Sequence, residues 1–174
     1  MNKRIAITGR PGCGKTTLCK RVAERFGTKV AGLITEEIRE GDKRVGFRLK
    51  NLATEQTGLL SHVKECSGPS VGKYSVCLDQ LNSIGAKAIK QGLRGGKLLI
   101  IDEIGPMELQ SDKFVELVEW TLQEDVDCLF TIHRRSTHPL LKTIRDEFEV
   151  KRLTKRNRDR VLEKVIKTFK TRLR

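Results

Sequence analysis

The sequence TGRPGCGKTT occupies residues 8–17 of this 174-residue chain. The apolar run RIAI precedes it, and apolar residues recur at helical spacing after it. We therefore predict a strand at residues 3–8 and a helix at residues 15–26. Eight residues of the stretch match the pattern GxxxxGK followed by Ser or Thr, in that strand-turn-helix context. The pattern predicts a phosphate-binding loop, the P-loop.

Each residue type in this loop has a chemical reason. Glycines permit positive φ and let backbone N–H groups face phosphate oxygens at a helix N-terminus, where the helix dipole favours anions. We expect Lys15 to act in catalysis by contacting the β- and γ-phosphates, and the Thr16 hydroxyl to ligate Mg²⁺. A purely structural glycine turn is the alternative. The predicted nucleotide contacts of the loop are Gly9, Arg10, Pro11, Gly12, Cys13, Gly14, Lys15 and Thr16.

The rest of the chain alternates strand and helix patterns, which implies a mostly parallel sheet covered on both faces. Residues 30–52 add an antiparallel hairpin, and residues 53–72 are predicted as a long loop, with a short strand at residues 59–63 as the alternative. We predict one α/β domain over residues 1–174, with three layers. The other predicted strands are 74–78, 98–101, 127–133 and 148–153, and the other helices 80–91, 113–123, 139–146 and 158–173.

Two acidic residues, Asp102 and Glu103, follow the apolar run LLII. Ligands of open α/β sheets bind beyond the carboxyl ends of the strands, so both carboxylates are predicted to face the phosphates. We assign Asp102 to hold Mg²⁺ through an ordered water, and Glu103 to orient and deprotonate the attacking water. A simple strand end or helix cap is the alternative interpretation.

A basic cluster follows the predicted strand at residues 127–133. His133 could sense the γ-phosphate, and Arg134 or Arg135 could neutralise charge in the transition state, with Arg134 our catalytic candidate. Two exposed loop arginines are an equally good interpretation. The guanine-reading pattern NKxD is absent from the sequence, so we expect weak discrimination among bases.

The net charge of +13 raises the possibility of a polyanionic partner. Residues 151–174 hold eleven Lys or Arg against two acidic residues, a net +9. Apolar residues recur there at helical spacing, which favours the solvated face of a packed helix over a nucleic-acid surface. We therefore expect nucleoside triphosphates as partners, with nucleic acid as the alternative, and a monomer.

Composition also bears on the compartment. We find no apolar run of about 18 residues and no signal-peptide pattern in the sequence, so we expect a cytoplasmic protein without membrane contact. The five cysteines are not spaced as CxxC or paired with nearby histidines in a metal-ligand pattern, and we expect them to be reduced thiols, mostly buried.

The chain resembles the small nucleoside-triphosphatases first described from thermophiles and called cancer-related nucleoside-triphosphatase in animals. TGRPGCGKTT, GLITEEIREGDKRVGFRL, LLIIDEIGPMEL and LTKRNRD carry the resemblance over most of the chain. It implies a RecA-like P-loop fold and slow Mg²⁺-dependent hydrolysis of ATP, GTP, CTP, UTP and TTP. A nucleoside or nucleotide kinase, or an NTP-dependent nucleic-acid-binding switch, are the alternatives. The resemblance also implies nucleotide contacts at Leu99, Ile100, Ile101, Asp102, Glu103, Ile104, Gly105 and Pro106.

Overall fold

The computed structural model describes residues 1–173 and places a nine-stranded mixed sheet at the centre of the molecule. The order of its strands is β5-β6-β4-β3-β2-β7-β8-β1-β9. The strands are β1 (Arg4–Thr8), β2 (Val30–Glu40), β3 (Lys43–Asn51), β4 (Thr57–His62), β5 (Ser70–Val71), β6 (Tyr74–Val76), β7 (Leu98–Ile104), β8 (Cys128–Ile132) and β9 (Glu149–Arg152). The helices are α1 (Lys15–Phe26), α2 (Leu78–Gln80), α3 (Ala86–Leu93), α4 (Asp112–Gln123), α5 (Pro139–Glu147) and α6 (Arg158–Lys170). Over residues 1–173, no helix combines the length and apolar character that a membrane crossing requires.

The parallel half of the sheet carries the P-loop. Strands β2, β7, β8, β1 and β9 pair in parallel, and β1 lies between β8 and β9. The run LLII forms the start of β7 and is fully buried, because helices cover both faces of the sheet. The predicted α/β class with a mostly parallel core is confirmed.

The antiparallel half is larger than the predicted hairpin. Strands β2 and β3 form that hairpin, with a turn at residues 41–42, as predicted. The segment predicted as a long loop, 53–72, contains β4 and β5, and β4 continues the sheet by pairing antiparallel with β3. The strand β4 agrees with the alternative of a short strand at residues 59–63, whereas β5 has too few residues to give a signal in the sequence.

Two hydrophobic clusters lie on opposite faces of the sheet. One contains residues of α3, α4 and α5, and the other contains residues of α1 and α6. In α6, Val161, Leu162, Val165 and Phe169 are buried in the second cluster. The basic residues of this helix therefore lie on its solvated face, as the amphipathic interpretation of the C-terminal segment predicts.

The expectation that all five cysteines are reduced thiols is wrong for two of them. Cys66 and Cys77 form a disulfide, with their Cα atoms 4.9 Å apart. They flank the β5–β6 hairpin, whose fold brings its two ends together across a sequence separation of 11. Cys13, Cys19 and Cys128 are free and buried.

Candidate functional site

The P-loop connects the buried strand β1 to helix α1. Gly12 and Gly14 have φ values of 75° and 106°, in the region that favours glycine. A Cβ at Gly9 would lie 2.6 Å from the Leu153 carbonyl oxygen, so the close approach of the two chain segments requires glycine there. Among residues 1–173, no side chain caps the N-terminus of α1. Its first-turn N–H groups are therefore available to an anion.

Lys15 is the first residue of α1 and lies over the loop. Its Nζ donates a hydrogen bond to the Gly9 carbonyl oxygen at 2.9 Å. Its positive charge lowers the pKa values of Asp102 and Glu103 against the larger opposing effect of burial. The Lys15 ammonium group therefore lies close enough to both carboxylates to interact with them electrostatically.

Asp102 joins three elements of the fold. Its Oδ2 accepts a hydrogen bond from Thr16 Oγ1 at 2.8 Å, and its Oδ1 accepts one from Thr131 Oγ1 at 2.6 Å. Burial raises its pKa to about 6, and the two threonine hydroxyls oppose that rise. The carboxylate of β7 is thereby fixed between α1 and β8.

The residues around Asp102 fit a magnesium ion. Mg²⁺ prefers hard oxygen ligands, keeps several waters and binds through one or two protein groups together with phosphate oxygens. Thr16 and Asp102 supply such oxygens within hydrogen-bond distance of each other. Within residues 1–173, no group of three His, Cys, Asp or Glu could form an all-protein cage for a metal. A site shared with a nucleotide is the arrangement that this donor set favours.

Glu103 follows Asp102 through a cis peptide bond and lines the same cleft. Burial raises its pKa, and Lys15 opposes the rise. A Cβ at Gly105 would lie 2.7 Å from Glu103 Oε1, so the glycine leaves room for this carboxylate. A partly buried carboxylate in this cleft is therefore a candidate general base.

Glu108 is a second buried carboxyl group beside Glu103, and our sequence analysis did not identify it. It is 4% exposed, and its Oε2 accepts a hydrogen bond from the Gly105 N–H at 3.1 Å. Burial, followed by the nearby Glu103 charge, raises its pKa to about 8. At neutral pH this group is therefore protonated.

These groups line a single cleft of about 1190 Å³. It runs from the P-loop past the end of β7 and also reaches the antiparallel strands and the start of α6. The predicted site residues that line it are Gly9, Pro11, Gly12, Gly14, Lys15, Thr16, Asp102, Glu103, Pro106, His133, Arg134 and Arg135. The structure therefore brings the P-loop, the acidic pair after LLII and the basic residues after β8 to one cleft.

Other predicted nucleotide contacts lie elsewhere. Leu99, Ile100, Ile101 and Ile104 are 0% exposed in the core, because the central strand β7 is covered on both faces. Their side chains pack in the core around the strand that carries Asp102, and these four residues do not line the cleft. Gly105 is also buried, beside Glu103. Arg10 and Cys13 border a smaller neighbouring cavity of about 440 Å³, which is formed with residues 152–155.

The loop after β8 is held in place by hydrogen bonds to its own backbone. His133 Nδ1 accepts from the N–H groups of Arg135 and Ser136 at 3.3 and 3.1 Å. Arg145 on α5 donates to the His133 carbonyl oxygen at 2.9 Å. Burial, followed by the charge of Lys15, lowers the pKa of His133, so the ring is neutral at physiological pH. Arg134 is partly exposed and lines the cleft.

Arg158 is a further residue at the site that our sequence analysis did not assign. Its Nε donates to the Cys13 carbonyl oxygen at 2.7 Å, and its Nη2 donates to the Gly12 carbonyl oxygen at 3.3 Å. The only signal in the sequence was its place in the string LTKRNRD. Its contact with a loop 145 residues earlier depends on how α6 packs against α1.

Comparison with known proteins agrees with this geometry. A family model described as NTPase matches residues 4–166. Nucleoside-triphosphatase THEP1 of Methanosarcina acetivorans is 48% identical over 95% of this chain and 96% of the relative. The crystal structure of THEP1 from the hyperthermophile Aquifex aeolicus matches with a TM-score of 0.86 and 36% identity, covering 94% of this chain and 97% of that one. The solution structure of a human cancer-related nucleoside triphosphatase matches with a TM-score of 0.81 and 31% identity, covering 97% and 98%.

Proposed function

This chain belongs to the NTPase family, and we propose that it hydrolyses nucleoside triphosphates to diphosphates in a Mg²⁺-dependent reaction with broad base specificity. The observation that carries this proposal is the hydrogen bond between Thr16 and Asp102, with Lys15 and Glu103 in the same cleft. This arrangement offers an anion site, a place for a hard metal ion and a basic carboxylate at adjoining positions.

The reaction would begin with the triphosphate seated on the P-loop. The N–H groups at the start of α1 and the Lys15 ammonium would bind the β- and γ-phosphate oxygens. Thr16 and Asp102 would hold Mg²⁺, which supplies neutralisation of phosphate charge when bound. The two hydroxyl contacts to Asp102 keep that carboxylate in one orientation, so little reorganisation is needed when the substrate arrives.

Glu103 would act on the attacking water. The water oxygen forms a bond to the γ-phosphorus, and the bond from that phosphorus to the bridging oxygen of the diphosphate breaks. The water proton passes to the Glu103 carboxylate, whose pKa is raised by burial, and a more basic carboxylate is a better proton acceptor. Arg134 would offset charge that develops on the transferring phosphoryl group.

Broad base specificity follows from the distribution of these groups. The proposed contacts of Lys15, Asp102 and Glu103 are with the triphosphate, its metal ion or the attacking water. These three are the same for every nucleoside triphosphate. Binding energy that comes mainly from shared groups discriminates weakly among bases. We therefore expect ATP, GTP, CTP, UTP and TTP to be hydrolysed at rates within about tenfold of one another.

The test is steady-state phosphate release from all five nucleotides, with Mg²⁺ and with a chelator, for the wild type and Glu103→Gln. Glutamine keeps the shape of the side chain but cannot accept the proton, so turnover should fall by about 10² to 10⁴ while nucleotide binding persists. Glu119→Gln, an exposed substitution on α4, is the matched control. Near wild-type turnover in Glu103→Gln would reject this base.

Two additions to the same assay test the alternative functions. Phosphate release that depends on an added nucleoside or nucleoside monophosphate, with labelled phosphate recovered on it, would favour a kinase. Salt-sensitive RNA or DNA binding that alters turnover would favour the nucleic-acid switch. Hydrolysis indifferent to both additions supports the phosphohydrolase.

A further inference from the structure

Arg158 contacts the P-loop through two carbonyl groups of consecutive residues. Its Nε lies 2.7 Å from the Cys13 oxygen, and its Nη2 lies 3.3 Å from the Gly12 oxygen. A planar guanidinium presents several N–H groups in a rigid fork, so it can hold two acceptors at a fixed separation. The side chain thereby fixes two adjacent peptide groups of the loop at once.

The contact with the Cys13 carbonyl bears on the direction of one loop N–H group, whereas the Cys13 N–H in the neighbouring peptide donates to the Arg10 carbonyl oxygen at 3.1 Å. In a planar trans peptide the C=O and N–H point in opposite directions. The Cys13 carbonyl and the Gly14 N–H belong to one peptide group, so the hydrogen bond from Arg158 turns the Gly14 N–H away from the guanidinium. That N–H is adjacent to the first turn of α1, where the loop presents its other N–H groups.

Gly14 and Arg158 fit against each other closely. A Cβ at position 14 would lie 2.9 Å from Arg158 Nε, and Gly14 has a φ of 106°. The absence of a side chain at Gly14 therefore permits both the loop conformation and the close approach of the arginine.

We propose that Arg158 is a positioning residue that holds the P-loop in its anion-binding conformation. This inference rests on the proposed function of the loop. It assigns a task to the C-terminal basic segment other than nucleic-acid binding: one of its arginines, which lines the same cleft, supports the backbone of the phosphate-binding loop.

The anchoring of α6 does not depend on Arg158. Val161, Leu162, Val165 and Phe169 are buried against the same face of the sheet as α1. The exposed pair between Arg21 and Asp159, at 3.5 Å, is a second contact between the two helices. Removing the guanidinium should thus change the loop more than it changes the attachment of the helix.

The experiment compares Arg158→Met and Arg158→Lys with the control Arg160→Met, an exposed arginine on the same helix. Lysine keeps the charge but lacks the fork, and methionine removes both. We would measure kcat and KM for ATP, the inhibition constant of magnesium tripolyphosphate, and the melting temperature. Tripolyphosphate lacks a nucleoside, so it tests the phosphate site alone.

In both Arg158 variants we expect KM for ATP and the inhibition constant to rise together by about tenfold, which corresponds to about 1.4 kcal/mol. The melting temperature should stay close to that of Arg160→Met. Wild-type constants in Arg158→Lys would show that charge alone is sufficient and would overturn the proposal. So would a rise in KM for ATP without a rise for tripolyphosphate, which would indicate a nucleoside contact. If Arg158→Met is unfolded at the assay temperature, Arg158→Lys decides the question alone, and wild-type hydrolysis tests the proposed function separately.

Discussion

Replacing Glu108 with glutamine should make the protein more stable at alkaline pH. The wild-type carboxyl group is 4% exposed, with a pKa of about 8 against an ordinary value of 4.5. Between these two pH values the unfolded chain releases the proton while the folded chain keeps it. The unfolded state then binds fewer protons, so the free energy of unfolding falls as pH rises from 4.5 to about 8. Glutamine does not ionise and removes this penalty.

The size of the effect follows from the same values. One pKa unit corresponds to about 1.36 kcal/mol, so the interval from 4.5 to about 8 corresponds to at most about 5 kcal/mol. Below pH 4.5 Glu108 is protonated in both states, and the amide oxygen of glutamine can still accept the Gly105 N–H. The two proteins should therefore be similar in stability in acid and diverge in favour of the variant up to pH 8.

Urea unfolding from pH 4 to 9 measures this difference directly. A chelator should be present throughout, so that bound metal does not change the local charge. Glu119→Gln, an exposed glutamate on α4, controls for the loss of a carboxylate. If the stability gap between Glu108→Gln and the wild type is the same at pH 5 and pH 8.5, Glu108 is not held neutral by burial and this reasoning fails.

Three further predictions concern the site and the last helix. Lys15→Ala should lose triphosphate affinity and turnover together, because it removes a charge directed at the phosphates; unchanged phosphate release would reject the P-loop assignment. Asp102→Asn should need more Mg²⁺ for half-maximal nucleotide binding, since an amide oxygen is a weaker ligand than a carboxylate; Mg²⁺ titrations of nucleotide binding with the wild type alongside measure this. Truncation after Arg156 should prevent stable folding, because four buried side chains of α6 contribute about 6 to 12 kcal/mol, close to the whole stability of a domain. A truncated protein that melts like the wild type would contradict that estimate.

The parts of the fold that the sequence predicts are those set by contiguous residues. The P-loop pattern, the strand LLII and the hairpin at 30–52 each carry a local signal, and the structure has each of them. The segment 53–72 was predicted mainly as a loop, with a strand at 59–63 only as the alternative, because its strands are short and gain their pairing partners only from the assembled sheet. The Cys66–Cys77 disulfide was missed for a related reason: the hairpin that joins its two ends has weak sequence signals.

The residues of the candidate site also fall into those that a local motif identifies and those that only the folded chain identifies. Lys15, Asp102 and Glu103 were found because each lies in or directly beside a recognisable motif, and their catalytic and metal roles remain predictions. Thr131 reaches Asp102 only because β8 lies beside β7 in the sheet, which residue spacing along the chain does not reveal. Glu108 resembles an ordinary surface glutamate in the sequence, and only its burial in the folded chain makes it unusual.

The two edge strands of the sheet affect the tendency of the protein to aggregate at high concentration. A sheet of nine strands has unpaired backbone groups at both edges, which can pair with another chain and start aggregation. Here one edge strand, β5, is two residues long, and the other, β9, is four residues long and carries Glu149, Lys151 and Arg152. Short edges rich in charge are poor templates for strand addition. The architecture that supports the phosphate site therefore offers little backbone along which further copies could assemble into fibrils.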